Sequence, residues 1–439
     1  LSSATWLGEL YRPTRHARAL ARLAAADRRR HRRDDAEPSL AALAINADAV
    51  GRDLARDLEA GAYRPTPARI RRARLDKERA LLVLAPIDRV VHAVLGELLG
   101  DAIEPLLSDQ LYSYRTGRSA QLALRALGAY LRAHRAARPD PRDRGLYVLR
   151  ADVAAYGDSI RLDDRAPIWP MLEQLVGGRA PADGSPHAAA WRALVGAVRP
   201  PIAGDGESWA ARGLPTGSPI VAPLANLYHG EVDRALEAVP GGLYLRYGDD
   251  ILFAHPDPGR VGDAIGRAEA ILDRLGLALH PGKRQLLYLT GAGRPDPRGQ
   301  ARGADRIAYL GCDTSFAGTV SLPARKAGEL LADVKARVRR SARLIDDAPA
   351  GERARTLAAM IARGFDASTP GAVRYAELVC DLVDDRSQLR DLDYRIALTV
   401  AEVLSGRRGP RAFRDVSYKS LRRAGLPSLV VRRNRGDRR

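Results

Sequence analysis

Leu243-Tyr244-Leu245-Arg246-Tyr247-Gly248-Asp249-Asp250-Ile251-Leu252-Phe253 is the stretch from which the fold is read. Two apolar segments of strand-like composition flank a Gly-Asp-Asp bend. Gly-Asp is also an ordinary turn pair. Two adjacent carboxylates, however, concentrate negative charge, which is costly unless cations offset it. A second stretch, Leu149-Arg150-Ala151-Asp152-Val153-Ala154-Ala155-Tyr156-Gly157-Asp158, places Asp152 at the end of another apolar run, 97 residues before Asp249. Carboxylates from separate strand ends can converge in space and hold two divalent ions. That arrangement suits phosphoryl transfer.

The chain has 439 residues and a mass of 47.6 kDa, enough for two or three domains or one multi-lobed enzyme. Its net charge is +18, and only Lys77, Lys283, Lys326, Lys335 and Lys419 of its 71 basic residues are not arginine. That bias weakens any argument from one arginine. The basic excess still points to a polyanionic partner, and nucleic acid is expected. Cys312 and Cys380 stand alone, without a CxxC, which argues against a cysteine zinc site and fits a reducing, cytoplasmic location. No run of 18 apolar residues lacks charge, so no membrane span is expected. The opening LSSATWLGEL shows no signal-peptide pattern, and it begins with Leu rather than Met. Nothing in the sequence assigns an oligomeric state.

Helical periodicity is expected over 1–60, around the basic patch 28–33, with an amphipathic stretch at Val50–Leu58. Two short strands are expected within Arg69–Leu84. Helices are expected at Asp88–Leu107, Ser119–Ala136, Ile168–Leu175, Pro186–Val198, Ser218–Leu236 and Gly259–Leu275. Tyr147–Val153 reads as a buried strand and Gly242–Phe253 as a hairpin. Ala278, Gln285–Thr290 and Arg306–Gly311 read as further strands, and Gly291–Asp305 as a loop. From Ala324 the pattern is helical, at Ala324–Leu344, Arg353–Arg363, Gly371–Val383 and Leu389–Ser405, before a basic tail at 431–439 expected to be mobile without a ligand.

The order and spacing of these motifs resemble the reverse transcriptase family, in its bacterial group II intron-like and stand-alone, defence-type branch. The resemblance is good over 60–315 and weaker over 320–430. It implies an α+β right-hand polymerase: an N-terminal helical extension (1–60), fingers (61–146), a palm with an antiparallel sheet (147–315, with a fingers segment at 165–212), a helical thumb (320–430) and the tail. It implies that Asp152, Asp249 and Asp250 are the catalytic and metal-binding carboxylates, with the Val153 carbonyl as a backbone ligand. Asp152 and Asp249 would hold two Mg²⁺ about 3.5–4 Å apart, with Mn²⁺ as a substitute, and Asp250 would support them. Asp158 is read as a salt bridge or helix cap.

Gly213-Leu214-Pro215-Thr216-Gly217-Ser218-Pro219-Ile220 resembles the family's proline-glutamine-glycine segment, with Thr216 where glutamine is usual. The resemblance makes Thr216 and Gly217 nucleotide contacts and finds Asn226, Glu231 and Asp233 in place on the helix that follows. Arg74 and Arg79 resemble the fingers residues that grip a triphosphate, and Lys283 resembles the palm lysine. Arg115 and Arg118, in Tyr114-Arg115-Thr116-Gly117-Arg118-Ser119, together with Arg246, are expected at template or primer. Leu310 and Gly311, in Ala308-Tyr309-Leu310-Gly311-Cys312, resemble a primer grip, with Cys312 a packed residue. His229 and His280 are read as structural or surface residues. The thumb's RVRRSAR at 337–343 offers an arginine face to a duplex.

The implied activity is RNA-directed DNA synthesis from dNTPs on a structured or associated RNA, with a DNA/RNA duplex as product, in a phage-defence setting. No endonuclease, RNase H or integrase is expected after the thumb. Two alternatives stand: a template-independent or ribonucleotide-accepting polymerase of the same fold, and a splicing cofactor (maturase), against which the intact aspartates argue. One departure concerns the sugar. The family carries Phe or Tyr five residues after its first aspartate, as a wall against a 2′-hydroxyl. Here that position is Gly157, preceded by Tyr156. Either the wall is missing, or Tyr156 replaces it, or the gate lies elsewhere.

Overall fold

The computed structural model describes residues 6–29, 39–74, 78–138, 140, 145–178, 185–204, 213–345, 347–366 and 372–436. The chain opens with helices α1 (Pro13–Arg29), α2 (Leu40–Leu43) and α3 (Ala47–Glu59). Strands β1 (Arg69–Arg74) and β2 (Glu78–Val83) follow, then α4 (Pro86–Ile103) and α5 (Ala120–Ala136). Next come β3 (Leu146–Asp152), α6 (Tyr156–Ser159), α7 (Ile168–Leu175), α8 (Pro186–Val198), α9 (Val221–Glu237), β4 (Leu243–Tyr247), β5 (Asp250–His255) and α10 (Pro258–Arg274). The remainder is β6 (Gln285–Leu289), β7 (Arg302–Ala304), β8 (Arg306–Tyr309), β9 (Cys312–Ser315), β10 (Val320–Ser321), α11 (Ala324–Leu344), α12 (Ala350–Gly364), α13 (Ala376–Asp381), α14 (Arg386–Ser405), α15 (Tyr418–Arg423) and α16 (Leu429–Gly436). The architecture is α+β.

Packing divides the chain into two compact units. The first is Leu1–Ser119 with Leu149–Gln285, and the second is Ala120–Val148 with Leu286–Arg439. Residues 120–148 therefore pack with the C-terminal segment rather than with 61–119.

In the first unit, α3 buries Gly51, Leu54, Ala55 and Leu58, an i, i+3, i+4, i+7 stripe. Gly51 allows a close approach to α1, because a Cβ there would stand 2.6 Å from the Pro13 carbonyl oxygen. β1 and β2 form an antiparallel hairpin pairing Arg69 with Val83 and Arg74 with Glu78. α4 starts at Pro86, whose missing N–H costs nothing at a helix start. Its buried Asp88 accepts from Tyr63 Oη at 2.5 Å and from the Thr66 amide at 3.0 Å, fixing the segment that leads into β1. α9 begins three residues after the expected Ser218, because Ser218 closes a turn and its hydroxyl meets His92 Nδ1 at 2.7 Å. β4 and β5 pair antiparallel, and β5 neighbours β3.

In the second unit, β6 pairs with β7 in parallel, so the expected loop 291–305 contains a strand. Ala278, in the first unit, lies outside the strands, and its carbonyl accepts from the Ala154 amide. β8, β9 and β10 form a three-stranded antiparallel sheet. α11 buries Leu330, Val334, Val338 and Ala342 at four-residue spacing against Leu357, Ile361, Leu389, Ile396 and Val400. Each large aliphatic side chain contributes about 1.5–3 kcal/mol. Asp385 caps α14 and Gly406, at φ +70°, ends it. Asp393 accepts from the Leu429 amide and the Ser428 hydroxyl, capping α16. The expected tail is therefore helical through Gly436. Residues 30–33 of the basic patch and 437–439 of the tail lie outside the described residues. Among the described residues, no helix is long and apolar enough to cross a membrane.

Candidate active site

β3 carries Asp152 to its C-terminal end along a mostly buried strand. β4 and β5 are joined by two residues, Gly248 and Asp249, because Tyr247 pairs with Asp250. Gly248 has φ +67°, at the first central position of the turn, where only glycine is at ease. The turn is clamped on both sides. Ser113 Oγ accepts from the Gly248 amide at 2.8 Å, and Arg246 Nη1 donates to the Gly248 carbonyl at 2.9 Å. Ser113 reaches the turn because residues 110–112 pair with β4, the Arg246 amide donating to the Gln110 carbonyl at 3.0 Å.

The two carboxylate segments meet through the backbone. The Val153 amide donates to the Asp249 carbonyl at 3.2 Å. The His280 amide donates to the Asp152 carbonyl at 2.7 Å, which brings the next turn of chain and Lys283 alongside. Lys283 Nζ lies 2.7 Å from Asp152 Oδ2. That hydrogen bond holds its ammonium above the ordinary lysine range, and Asp249 and Asp250 add to the effect. Arg150 pairs with Asp250 through two contacts, at 3.3 and 3.2 Å. Burial pushes the Asp250 carboxyl up, Arg150 pulls it down, and the charges of Asp152 and Asp249 push it up again. Asp152, Asp249 and Asp250 are all half-buried.

Among the described residues, no three His, Cys, Asp or Glu side chains are gathered into a cluster that could hold a metal ion. The donor chemistry nevertheless fits a hard divalent cation, since it consists of carboxylate oxygens. Lys283 and Arg150 supply the positive charge that these carboxylates require. A cation there would be held by Asp152, Asp249 and the Val153 carbonyl once Lys283 released Asp152.

The segment 213–220 lies against this site. The Leu214 amide donates to the Gly157 carbonyl at 2.8 Å. A Cβ on Gly213, at φ +78°, would come within 2.4 Å of that same oxygen. The Leu82 amide of β2 donates to the Thr216 carbonyl at 2.7 Å, and Gly217, at φ +106°, lets β2 approach. Thr216 and Gly217 thus join the β1–β2 hairpin to the strand-end cluster. The backbones of Arg74 and Arg79 lie in that hairpin, and their side chains are outside the described residues.

Several expected contacts are corrected. Arg246 is wholly buried, forked onto Asp233 at 2.7 Å on both sides, and reaches Asn226 at 3.4 Å, so it touches no template or primer. Burial alone would lower its pKa, but Asp233 holds it above the ordinary arginine value. Arg115, with its side chain 6% exposed, spends its donors on Glu104, the Ser108 carbonyl and the Leu111 carbonyl. These contacts shape its loop. Tyr156 is turned inward: its hydroxyl donates to the Ala225 carbonyl and its ring stands edge-on to His229, with centroids 5.6 Å apart. Gly157 is half-exposed, and a Cβ there would meet nothing within 4 Å. Arg118 stays partly exposed, paired with Asp109 at 2.9 Å and stacked over Tyr112. Leu310 and Gly311 belong to the second unit, where they form the β8–β9 turn with φ +48° and +78°, the Gly311 carbonyl accepting from Lys326.

His229 is completely buried, and burial lowers its pKa to about 3, while His280 caps the turn before Lys283. Cys312 is buried and its thiol is pushed up to about 11 by burial. Asp158 sits in the first turn of α6. Two residues of the site went unpredicted. Arg150 had a signal, since it stands two residues before Asp152 on a strand and so shares its face. Ser113 had only its neighbourhood, immediately before Tyr114-Arg115.

No protein family and no curated protein matches the chain by sequence. Among solved structures it is similar to telomerase from Candida albicans in complex with a TWJ fragment of telomeric RNA, at 12% identity and a TM-score of 0.46, over 84% of this chain and 62% of that one. It is also similar to apo telomerase from Candida tropicalis, at 11% identity and a TM-score of 0.42, over 82% of this chain and 59% of that one. The chain therefore spans less than two thirds of those proteins. Likeness at this level leaves the functional reading to the site itself.

Proposed function

We propose that the protein is an RNA-directed DNA polymerase that copies a structured or associated RNA by nucleotidyl transfer, acting in the cytoplasm in a defence setting. The observation that carries this reading is the junction of Asp152 with Asp249 and Asp250 at adjoining strand ends, bonded from the Val153 amide to the Asp249 carbonyl at 3.2 Å. Mg²⁺, or Mn²⁺ in its place, would activate the primer hydroxyl and stabilise charge on the transferring phosphoryl group. Asp152 and Asp249 would hold the cation, with Asp250 supporting them. Lys283, released from Asp152, would face the triphosphate. The 213–217 segment carries nucleotide-binding backbone between the hairpin and the carboxylates. The net charge of +18 supports an RNA partner, whose binding weakens with salt. The defence setting rests on the family resemblance alone.

Gly157 favours a second reading on its own account. With no side chain at that position and Tyr156 tied inward, the observation supports a polymerase that accepts ribonucleotides.

Primer extension on an RNA template with dNTPs and Mg²⁺ tests the first reading. The wild-type chain is expected to extend the primer and Asp249→Asn to abolish extension with the fold intact. Extension at the wild-type rate by Asp249→Asn would overturn the mechanism.

A further inference from the structure

The two cations of the site hold their carboxylates differently. Lys283 is a single ammonium on a flexible stem, 48% exposed, touching one oxygen of Asp152. Such a pair opens at little cost. Arg150 is a planar fork that meets both oxygens of Asp250, Nε to Oδ1 at 3.3 Å and Nη2 to Oδ2 at 3.2 Å. It is also more enclosed, with side-chain exposures of 32% for Arg150 and 18% for Asp250. A guanidinium keeps its charge at any working pH, and its fork loses less freedom per hydrogen bond formed.

The position follows from the sheet. Arg150 and Asp152 are two apart on β3 and project from one face. Asp250 opens β5, the neighbouring strand. Arg150 therefore reaches across to Asp250 while Asp152 and Asp249 stay beside it. Three ionised carboxylates carry −3, and Arg150 reduces this to −2 without moving when Lys283 leaves.

We propose that Arg150 is a positioning residue that holds Asp250 at the edge of the cation site, keeps its carboxylate out of direct coordination, and so sets the affinity of the site for divalent cations. The inference rests on the nucleotidyl-transfer reading above. Without Arg150, Asp250 is free to swing onto the cation, and the site becomes a tighter and more chelating one.

Calorimetric titration of Mn²⁺ into the full chain, without nucleic acid, tests this together with the rise in unfolding temperature on adding Mg²⁺. Arg150→Met is expected to bind Mn²⁺ about tenfold more tightly than wild type and to gain more thermal stability from Mg²⁺. In an Asp250→Asn background the gain from Arg150→Met is expected to shrink to less than about threefold, because the carboxylate it releases is gone. A gain that persists in full there would assign the effect to charge alone and overturn the positioning role. Should Arg150→Met not fold, Arg150→Lys keeps the charge but cannot bridge both oxygens, and about threefold tighter binding is expected. Unchanged Mn²⁺ affinity in either variant, beside a wild type that does bind Mn²⁺, would overturn the role of Arg150 alone. A wild type that binds no Mn²⁺ in the millimolar range would overturn both this inference and the reading beneath it.

Discussion

Asp233 and Arg246 meet in the interior as a two-point ion pair, 2.7 Å at each end, with neither side chain exposed. The same guanidinium donates to the Gly248 carbonyl, so the pair anchors the turn that carries Asp249. Arg246→Met is expected to destabilise the first unit by about 3–5 kcal/mol, because it leaves the Asp233 charge buried and unpaired. The double variant Arg246→Met/Asp233→Leu should recover most of that loss. Trp6, Trp169 and Trp191 belong to this unit, so denaturant unfolding followed by tryptophan emission reports it. A stable Arg246→Met that lost only RNA affinity would return Arg246 to the template.

A second expectation concerns pH. His92 is buried, and burial lowers its pKa to about 4 from an ordinary 6.5. The folded state thus refuses a proton that the unfolded chain accepts. The stability carried by neutral His92 is complete above pH 6.5 and is lost as the pH falls toward 4, roughly 3 kcal/mol in all. His229, lowered to about 3 by burial, continues the loss at lower pH. Denaturant stability measured from pH 7 to 4 should fall steeply for wild type and less for His92→Gln. Equal slopes would show that His92 is not the titrating group.

The strands and the carboxylates were legible because their signals are local. An apolar run ending in aspartate and a glycine at a tight bend need no tertiary knowledge to read. The arginines were not legible. Arg115, Arg150 and Arg246 look alike in a chain this rich in arginine, yet one shapes a loop, one grips Asp250 and one is sealed onto Asp233. Their roles depend on which carboxylate the fold brings opposite, and Glu104, Asp250 and Asp233 lie on other elements. β7 escaped because three residues in a Gly/Pro-rich loop carry no periodicity, and only pairing with β6 makes them a strand.

Ala155 lies between Asp152 and Tyr156 with φ 44° and ψ 42°, a left-handed conformation that costs a residue bearing a Cβ about 1–2 kcal/mol. It is exposed, so no packing is lost on substitution. Ala155→Gly removes the strain and adds some freedom to the unfolded chain. A net gain of about 0.5–1 kcal/mol is expected in the same tryptophan-monitored unfolding. A loss of stability would show that the conformation is not strained here.

The last expectation is the choice of sugar. Gly157 stands one turn beyond Asp152, half-exposed, with its carbonyl bonded to the Leu214 amide of the adjoining segment. A Cβ there would meet nothing within 4 Å, so the space is open. Tyr156 does not fill it. Its hydroxyl is bonded to the Ala225 carbonyl, its ring faces His229, and burial pushes its pKa up. Swinging it outward would strand a buried carbonyl and open a hole beside His229, a cost of several kcal/mol. On the polymerase reading, steric exclusion of a 2′-hydroxyl is therefore not expected from this position. Ribonucleotides should be incorporated within about tenfold of deoxyribonucleotides, a gap of about 1.4 kcal/mol. Gly157→Phe should widen that gap, since the backbone there accepts a side chain and a ring can occupy the open space. Single-nucleotide extension with matched dNTP and rNTP pairs measures both. A wild-type preference for dNTPs above about a thousandfold, some 4 kcal/mol, would mean that another residue supplies the wall.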